Sequence, residues 1–525
     1  MCGIAGIAVS AAWRDSDENA LRAMQEALHH RGPDDRAVWI DPHAGIGFAH
    51  TRLAVIDLTT AGRQPMADPS GRFHITFNGE IYNFQALRRE LEERGEVFHS
   101  RSDTEVLLRL FAREGRSMLG RLHGMFAFAI WDAQERSLFL ARDPFGIKPL
   151  YYAELPGGLV FASELRALRR CSLVPDALEP RALQAYFETG SVPEPLTLLK
   201  DALLLPAGHW ALWKNGGFCC ESYWEPRFEP SPDFAGEAAA RTRAALLESM
   251  QAHFVSDTPV GVFLSGGIDS TALVALAREV GHGNLDTFSI GVDDPALDES
   301  GMARCTAEHF GTRHHEMRLD ATAAKNLFDG FIRSVDQPSV DGINTYTVSA
   351  FARSHGMKVV LSGLGGDELF GGYPSFQKVP RLARLATLSR SSTALSSFAG
   401  RCLERCAPDH RLRRVGTLLQ RPPTIPNAFR AFRGIFSGHH ARCLAAEFSG
   451  LEEKKLPAFP FSNGSTLEGV DAVSHCELTL YMRNQLLRDS DVMSMAHGLE
   501  LRVPYVDTRL FATLSRIPAA IRVQP

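Results

Sequence analysis

Two stretches of the 525-residue chain carry residue types that could do chemistry by themselves. The first is the amino terminus, where Cys2 follows the initiator Met. A small second residue lets that Met be removed. The cysteine left behind has a free α-amine of ordinary pKa near ~7.7–8.0, which can serve as the base for its own thiol. The second stretch is LSGGIDS, Leu264 to Ser270, which follows the apolar run PVGVFL and opens a helical pattern. Consecutive amides of such a turn, reinforced by the positive end of a helix, make a cradle for phosphate. No Gly-Lys-Ser/Thr follows, so it is not a Walker loop. A third pair, Asn78-Gly79, reads in isolation as a type I′ hairpin turn.

The elements that must position these groups are of two kinds. From Cys2 to about residue 215, short β-branched and aromatic runs alternate with Gly, Pro, Asp and Asn, as in Arg72 to Phe84, Gly124 to Asp132 and Arg136 to Tyr152. Helical periods are few, over Asp17 to His29 and over Phe84 to Glu93, with Gly95 beyond the second. This pattern predicts an α+β domain dominated by antiparallel strands. An aromatic, Pro-rich stretch at 216–233 reads as a linker. From 234 onward, helices (Phe234 to His253, Ser270 to Val280) alternate with strands (PVGVFL, LDTFSIGV, KVVL), which predicts a parallel α/β sheet. Ligands of such sheets bind at the carboxyl ends of the strands, where LSGGIDS and SGLGGDELFGGY (Ser362 to Tyr373) fall. After Tyr373 the pattern is mainly helical. A basic stretch there, Lys378 to Arg421, reads as a solvated helical surface, with a polyanion-binding patch as the alternative.

Composition narrows the function classes. With 45% hydrophobic and 22% charged residues the chain is an ordinary globular protein of at least two domains. Its net charge of −5 is too near zero for binding to nucleic acid or a membrane surface through global charge. No apolar run is long enough to span a bilayer, and the first ten residues lack the basic start of a signal peptide, so a cytoplasmic protein is expected. The nine cysteines show no CxxC and no Cys/His zinc spacing, and are expected to be reduced.

Six blocks surround the Cys2 chemistry: CGIAGI (Cys2 to Ile7), HRGPDD (His30 to Asp35), HTRLAVID (His50 to Asp57), FNGEIYN (Phe77 to Asn83), SDTE (Ser102 to Glu105) and ARDPFGIKPLYY (Ala141 to Tyr152). Together they resemble the class II glutamine amidotransferases, which have an amino-terminal-nucleophile hydrolase fold and release ammonia from glutamine. The resemblance implies that Cys2 attacks the amide and that the Asn78 side chain and Gly79 N–H hold the oxyanion. It implies Arg52 as partner of the glutamine carboxylate. Asp103, with Glu80 and backbone groups around Val55 and Ile56, is implied for the α-ammonium.

The LSGGIDS loop resembles that of the ATP pyrophosphatases, which split ATP to AMP and pyrophosphate. That likeness implies Leu264, Ser265, Gly266, Gly267, Asp269, Ser270, Ile290, Ser362 and Gly363 around ATP, with Asp269 and Asp367 as Mg²⁺ ligands. The bland alternative for Asp367 is a helix N-cap. The order of the two halves resembles the glutamine-hydrolysing asparagine synthetase family, which LDES (Leu297 to Ser300) and Asp491 to Asp507 also fit. The implied organisation is a glutaminase domain at 2–215, a linker at 216–233 and a synthetase domain at 234–525. The implied activity is synthesis of asparagine through β-aspartyl-AMP and channelled ammonia, in a cytoplasmic ligase whose partners are glutamine, ATP and aspartate, with a homodimer expected and no nucleic acid or membrane.

Three departures from that family pattern stand out. Leu364 occupies a position where many members have an acidic residue, and Gln337 stands in DQP where DEP is commoner. No Lys follows Lys455, although family members usually carry one in a helical segment after the RVPYVD block, so truncation at the carboxyl end is expected. These features leave two alternatives: an amidotransferase for another carboxylate, as in polysaccharide or secondary metabolism, and a synthetase-impaired scaffold.

Overall fold

The computed structural model describes residues 1–296, 298–388, 393–453, 456 and 467–523. Leu297 of LDES, Lys455, residues 389–392 of the basic stretch and Pro525 lie outside the described residues.

The first half contains the strands β1 (Gly3–Val9), β2 (Asp35–Asp41), β3 (Ile46–Arg52), β4 (Met66–Ala67), β5 (Phe73–Ile81) and β6 (Gly124–Asp132). After them come β7 (Ser137–Arg142), β8 (Tyr151–Leu155), β9 (Gly158–Ala162), β10 (Ala202–Leu204), β11 (His209–Lys214) and β12 (Gly217–Ser222). They form two six-stranded antiparallel sheets, ordered β10-β8-β9-β1-β3-β2 and β12-β11-β7-β6-β5-β4.

The alternation along β6 explains how the sheets stack. Ala127, Ala129 and Trp131 face the first sheet and meet Ile4, Phe48 and Phe161 there. Phe126, Phe128 and Ile130 face outward onto the helices Phe84–Glu93 and Asp103–Glu114, through Leu87, Leu91, Val106 and Leu110. On the far side, Ala5 and Ile7 of β1 pack on Leu21 and Met24 of the helix Asp15–Ala27. The result is a four-layer helix-sheet-sheet-helix domain. Strands buried on both faces read as continuous apolar runs, which is the look of GMFAFAIWD.

Two sequence expectations differ in detail. Residues 217–222, taken as linker, form β12 and pair with β11 from His209↔Ser222 to Lys214↔Gly217. The aromatic and Cys-rich composition there is that of an edge strand rather than a tether. The helix Asp103–Glu114 has a polar first turn, which hides its apolar period in the sequence. Ser102 caps it, accepting the Thr104 N–H at 3.1 Å.

The second half carries β13 (Val260–Phe263), β14 (Asp286–Val292), β15 (Arg313–Leu319), β16 (Val359–Leu361) and β17 (Glu500–Arg502). All neighbours are parallel, in the order β15-β14-β13-β16-β17. The chain winds outward from β13 to β15 and then restarts at β16 on the other side. The switch point therefore lies between β13 and β16, where a crevice opens beyond the strand ends. LSGGIDS leaves β13 and SGLGGD leaves β16 at that point.

The halves share one core. Met1, Leu53, Val55, Tyr82, Met125, Phe145 and Ile147 belong to the same apolar cluster as Leu478, Leu499, Val503 and Phe511. No helix among the described residues is long and apolar enough to cross a membrane.

Candidate functional site

Cys2 precedes β1 and is buried at the seam between the halves. Its N–H donates to Asn78 Oδ1 at 3.0 Å. That bond fixes the orientation of the Asn78 amide and leaves Nδ2, which is buried and has no hydrogen-bond partner, beside the cysteine. A buried donor without an acceptor costs about 1–3 kcal/mol, so its retention calls for a transient acceptor. Asn78-Gly79 is not a hairpin turn. Both residues lie within β5, opposite Ala127 and Phe126 of β6. A Cβ on Gly79 would collide with the Met125 carbonyl and lie 2.7 Å from Phe126 Cα, so only glycine allows this approach.

Burial pushes the Cys2 thiol up, opposed by the terminal ammonium, the Leu53 N–H and the Arg52 guanidinium. Arg52, at the end of β3, is held by carbonyls of its own loop: Thr59 at 2.8 Å, Asp57, and Ile56 at 3.5 Å. Asp103 opens its helix with Oδ2 accepting the Ile81 N–H at 3.0 Å, and burial pushes its carboxyl up to about 6.

The structure thus brings Cys2, Asn78, Gly79, Arg52 and Asp103 to one region, and it treats the remaining three expectations differently. The carbonyl of Val55 accepts the Asp257 N–H at 3.0 Å, and that of Ile56 faces Arg52 at 3.5 Å, each with a second lone pair left. Glu80 reaches the seam instead. Its Oε1 lies 3.5 Å from Arg502, and burial with the charge of Glu500 raises its carboxyl well above the usual range.

Sequence reasoning missed what fastens the cysteine. The fully buried guanidinium of Arg31 donates to the Cys2 carbonyl at 3.1 Å, to Glu164 at 2.8 Å and to Asp491 at 2.8 Å. Lys148 Nζ reaches the other oxygen of Asp491 at 3.3 Å. The terminal amine of Met1 pairs with Glu500 at 2.9 Å, and that amine with Arg502 holds Glu500 down to about 2 against its burial. Arg31 stood in the HRGPDD block, and Asp491, Glu500 and Arg502 stood in the block from Asp491 to Asp507. The signal was present without its pairing.

At the second crevice, Gly267 caps the helix Ile268–Glu279. Ser270 Oγ donates within the loop to the carbonyls of Ser265 (3.0 Å) and Gly267 (3.1 Å), which sets the turn. One loop amide, that of Gly266, is met by the Glu299 carboxylate of the LDES block at 3.3 Å. The loops from β13 and β16 touch. A Cβ on Gly363 would lie 3.1 Å from the Ser270 nitrogen, and one on Gly366 would overlap the Asp269 carboxylate. Leu264 is buried, with its N–H on the Phe288 carbonyl at 2.9 Å, while Ile290 and Ser362 are half-buried. Burial and then the charge of Asp367 push Asp269 up to about 6. Burial also raises Asp367, against the pull of Arg433. Asp367 lies within the helix Gly366–Phe370, whose N-cap is Gly365, so it is not the cap. Two half-buried carboxylates, one of which feels the charge of the other, suit a hard divalent cation.

The departures also find places. Leu364 packs half-buried on the shared core. Gln337 is buried between the halves, accepting the Leu198 N–H at 3.0 Å and donating to the Tyr151 hydroxyl at 3.2 Å. Its change from the commoner residue is therefore a matter of the seam.

Comparison with known proteins gives two matches in register with these halves. Residues 1–224 match the family model described as glutamine amidotransferase domain, and residues 241–525 match that described as asparagine synthase. Asparagine synthetase (glutamine-hydrolyzing) 1 of Bacillus subtilis (strain 168) is 33% identical over 100% of this chain and 82% of its own length. A putative asparagine synthetase (glutamine-hydrolyzing) of Mycobacterium bovis is 34% identical over 100% of this chain and 83% of its own. Amidase chry2 of Gibberella zeae is 26% identical over 96% of this chain and 79% of its own.

Arg31→Met would remove the shared partner of Glu164 and Asp491. It is expected to cost about 3–5 kcal/mol, the usual penalty for uncompensating a buried charge, nearer the low end because Lys148 and Arg166 remain. A lowered urea midpoint of unfolding checks this, and an unchanged midpoint would contradict it.

Proposed function

Because this chain belongs to the glutamine-hydrolysing asparagine synthetase family of ligases, we propose that it makes ammonia from glutamine at Cys2 and uses it, with ATP, to amidate aspartate. We divide the chain for this purpose into a glutaminase half ending at β12 and a synthetase half beginning with the helix Ala238–His253. The observation that carries the reading is the unpartnered Nδ2 of Asn78 beside Cys2.

Loss of Met1 turns the N–H held by Asn78 into an α-amine, which takes the thiol proton as sulfur attacks the glutamine side-chain amide. The developing oxyanion is received by Asn78 Nδ2 and the Gly79 N–H; a donor of this kind is typically worth about 10²–10³ in rate. The α-amine passes that proton to the leaving nitrogen, ammonia departs as the thioester forms, and water, giving a proton to the same amine, cleaves the thioester to glutamate and the free thiol. Arg52, already fixed by three carbonyl contacts, offers its remaining N–H groups to the glutamine carboxylate, and Asp103 takes the α-ammonium.

In the second half, the amides of Ser265 to Ser270 hold the β- and γ-phosphates of ATP, with Leu264, Ile290, Ser362 and Gly363 around the nucleoside. Asp269 and Asp367 would hold Mg²⁺, which when bound neutralises phosphate charge. The aspartate β-carboxylate displaces pyrophosphate from the α-phosphorus, and ammonia then displaces AMP from the acyl carbon. Asparagine results.

Leu364 favours a second reading, in which the acceptor is another carboxylic acid, because leucine offers no proton-accepting group beside the adenylate. The 26% identity to an amidase is in keeping with it. Offering aspartate, glutamine, ATP and Mg²⁺ separates the two. Asparagine together with pyrophosphate supports the first reading, and their absence while glutamine is still hydrolysed supports the second. Cys2→Ala is expected to abolish glutamine use and to keep ammonia-dependent synthesis. Loss of both activities would contradict separable sites.

A pH dependence follows from Asp103. Its carboxyl, pushed up to about 6 by burial, is neutral below that pH and cannot pair with an ammonium. The glutamine KM is therefore expected to rise as pH falls through about 6. Asp103→Asn should raise KM at neutral pH roughly 30-fold, corresponding to about 2 kcal/mol for a lost buried charge partner, and flatten that dependence. A wild-type pH profile retained by the variant would exclude Asp103 from this role.

A further inference from the structure

Away from both crevices, one group of metal-ligating side chains converges among the described residues: His439, Cys443 and Glu453. The sequence spacing does not announce it, since only two of the three are Cys or His. His439 and Cys443 stand four apart on the helix Gly438–Ser449 and so share one face. Gly450 ends that helix in the left-handed region (φ 69°), and the Leu451 N–H closes back on the Ala446 carbonyl at 3.2 Å. The chain then returns along the helix. The Arg442 guanidinium secures the return by donating to the Glu453 carbonyl at 2.9 Å.

The return puts the Glu453 carboxylate against the pair. His439 Nδ1 lies 3.5 Å from Glu453 Oε1, Cys443 Sγ lies 3.8 Å from Glu453 Oε2, and Sγ lies 3.8 Å from His439 Nδ1. In a tetrahedral zinc site, bonds of about 2.0 Å to nitrogen and oxygen and about 2.3 Å to sulfur set ligand-to-ligand edges of roughly 3.3–3.6 Å. The two contacts to Glu453 use different carboxylate oxygens; with one ligand atom from each residue the three lie within 4.8 Å of one another, so a contraction of up to about 1.5 Å around an ion would close the site. The ion pair between His439 and Glu453, the four-residue spacing of His439 and Cys443, and the thiol's hydrogen bond to Glu453 bring the three groups together before any ion binds.

We propose that His439, Cys443 and Glu453 bind one zinc-like divalent cation, with the fourth position open to solvent. Imidazole, thiolate and carboxylate together favour a cation of intermediate softness over Mg²⁺ or Ca²⁺. A thiolate and a carboxylate balance its charge, and the thiol proton is released on binding. The structural consequence is local. Ala445 and Ala446 of the same helix pack with Leu456 on Leu183 of the helix Pro180–Thr189, so the cation would staple the return segment beside the glutaminase half.

The test uses the full chain, stripped with a chelator and titrated with Co²⁺. One equivalent is expected to bring up a thiolate-to-cobalt charge-transfer band, which a cation at Asp269 and Asp367 cannot produce. Cys443→Ser should abolish the band. His439→Ala and Glu453→Gln should each weaken Co²⁺ binding at least ~tenfold, since even neighbours of metal ligands typically matter by about 10–100-fold. Absence of the band, its survival in Cys443→Ser, or unchanged affinity in both other variants would each overturn the proposal. The three positions are at least partly exposed on a helix and a turn, so the variants are expected to fold.

Discussion

The buried guanidinium of Arg31 holds the carbonyl of Cys2, the proposed nucleophile, and reaches carboxylates in both halves of the chain. A chain terminus is the part of a protein least restrained by its neighbours, and a nucleophile there has to be pinned before it can be aimed. Arg31 does this through the Cys2 carbonyl, and its remaining donors reach Glu164 in the same half and Asp491 in the other. Burying a guanidinium is costly unless its partners are charged and well placed. Both carboxylates here are buried, and each has further cationic company, Arg166 for Glu164 and Lys148 for Asp491. Docking of the halves and positioning of Cys2 are therefore parts of one arrangement.

The same logic extends along β17. Glu500 takes the amine of Met1 for as long as that residue is present, and Arg502 spans from Glu500 to Glu80 on one side and donates to the carbonyls of His253 and Val255 on the other. The Arg502 carbonyl accepts the Ser362 N–H at 2.9 Å, at the root of the loop leaving β16, and Tyr505 donates to the Asp269 carbonyl at 3.0 Å. The short edge strand and the turn after it thus touch the surroundings of Cys2 and both loops of the second crevice. That explains why the block from Asp491 to Asp507 looks like a motif although the chemistry proposed above assigns it no reacting group.

The legibility of this molecule in its sequence divides along range. Local patterns carried far: the two-faced apolar strands, the parallel half with its loops at strand ends, and the glycine-rich turns are short-range signals and all were readable. The type of Asn78-Gly79 was not decidable locally, because the dipeptide that makes a tight turn also suits a strand where a backbone must approach closely; only the pairing with β6 separates the two. The edge strand β12 was hidden by a composition shared with linkers. The clasp of Arg31 with Asp491 spans most of the chain, and no periodicity relates residues so far apart. Glu80 could be placed near glutamine by family likeness, yet its environment is set by Arg502, another long-range partner.

Asp491 in the second half, acting through Arg31, holds Cys2, the proposed nucleophile, in place. Asp491→Asn tests it most directly, with glutamine hydrolysis and ammonia-dependent pyrophosphate release measured on the same preparation. The account predicts that hydrolysis falls at least about tenfold, as befits a nucleophile that has lost its fixed position, while ammonia-dependent release stays within about twofold. Unchanged glutamine hydrolysis in that variant would contradict it.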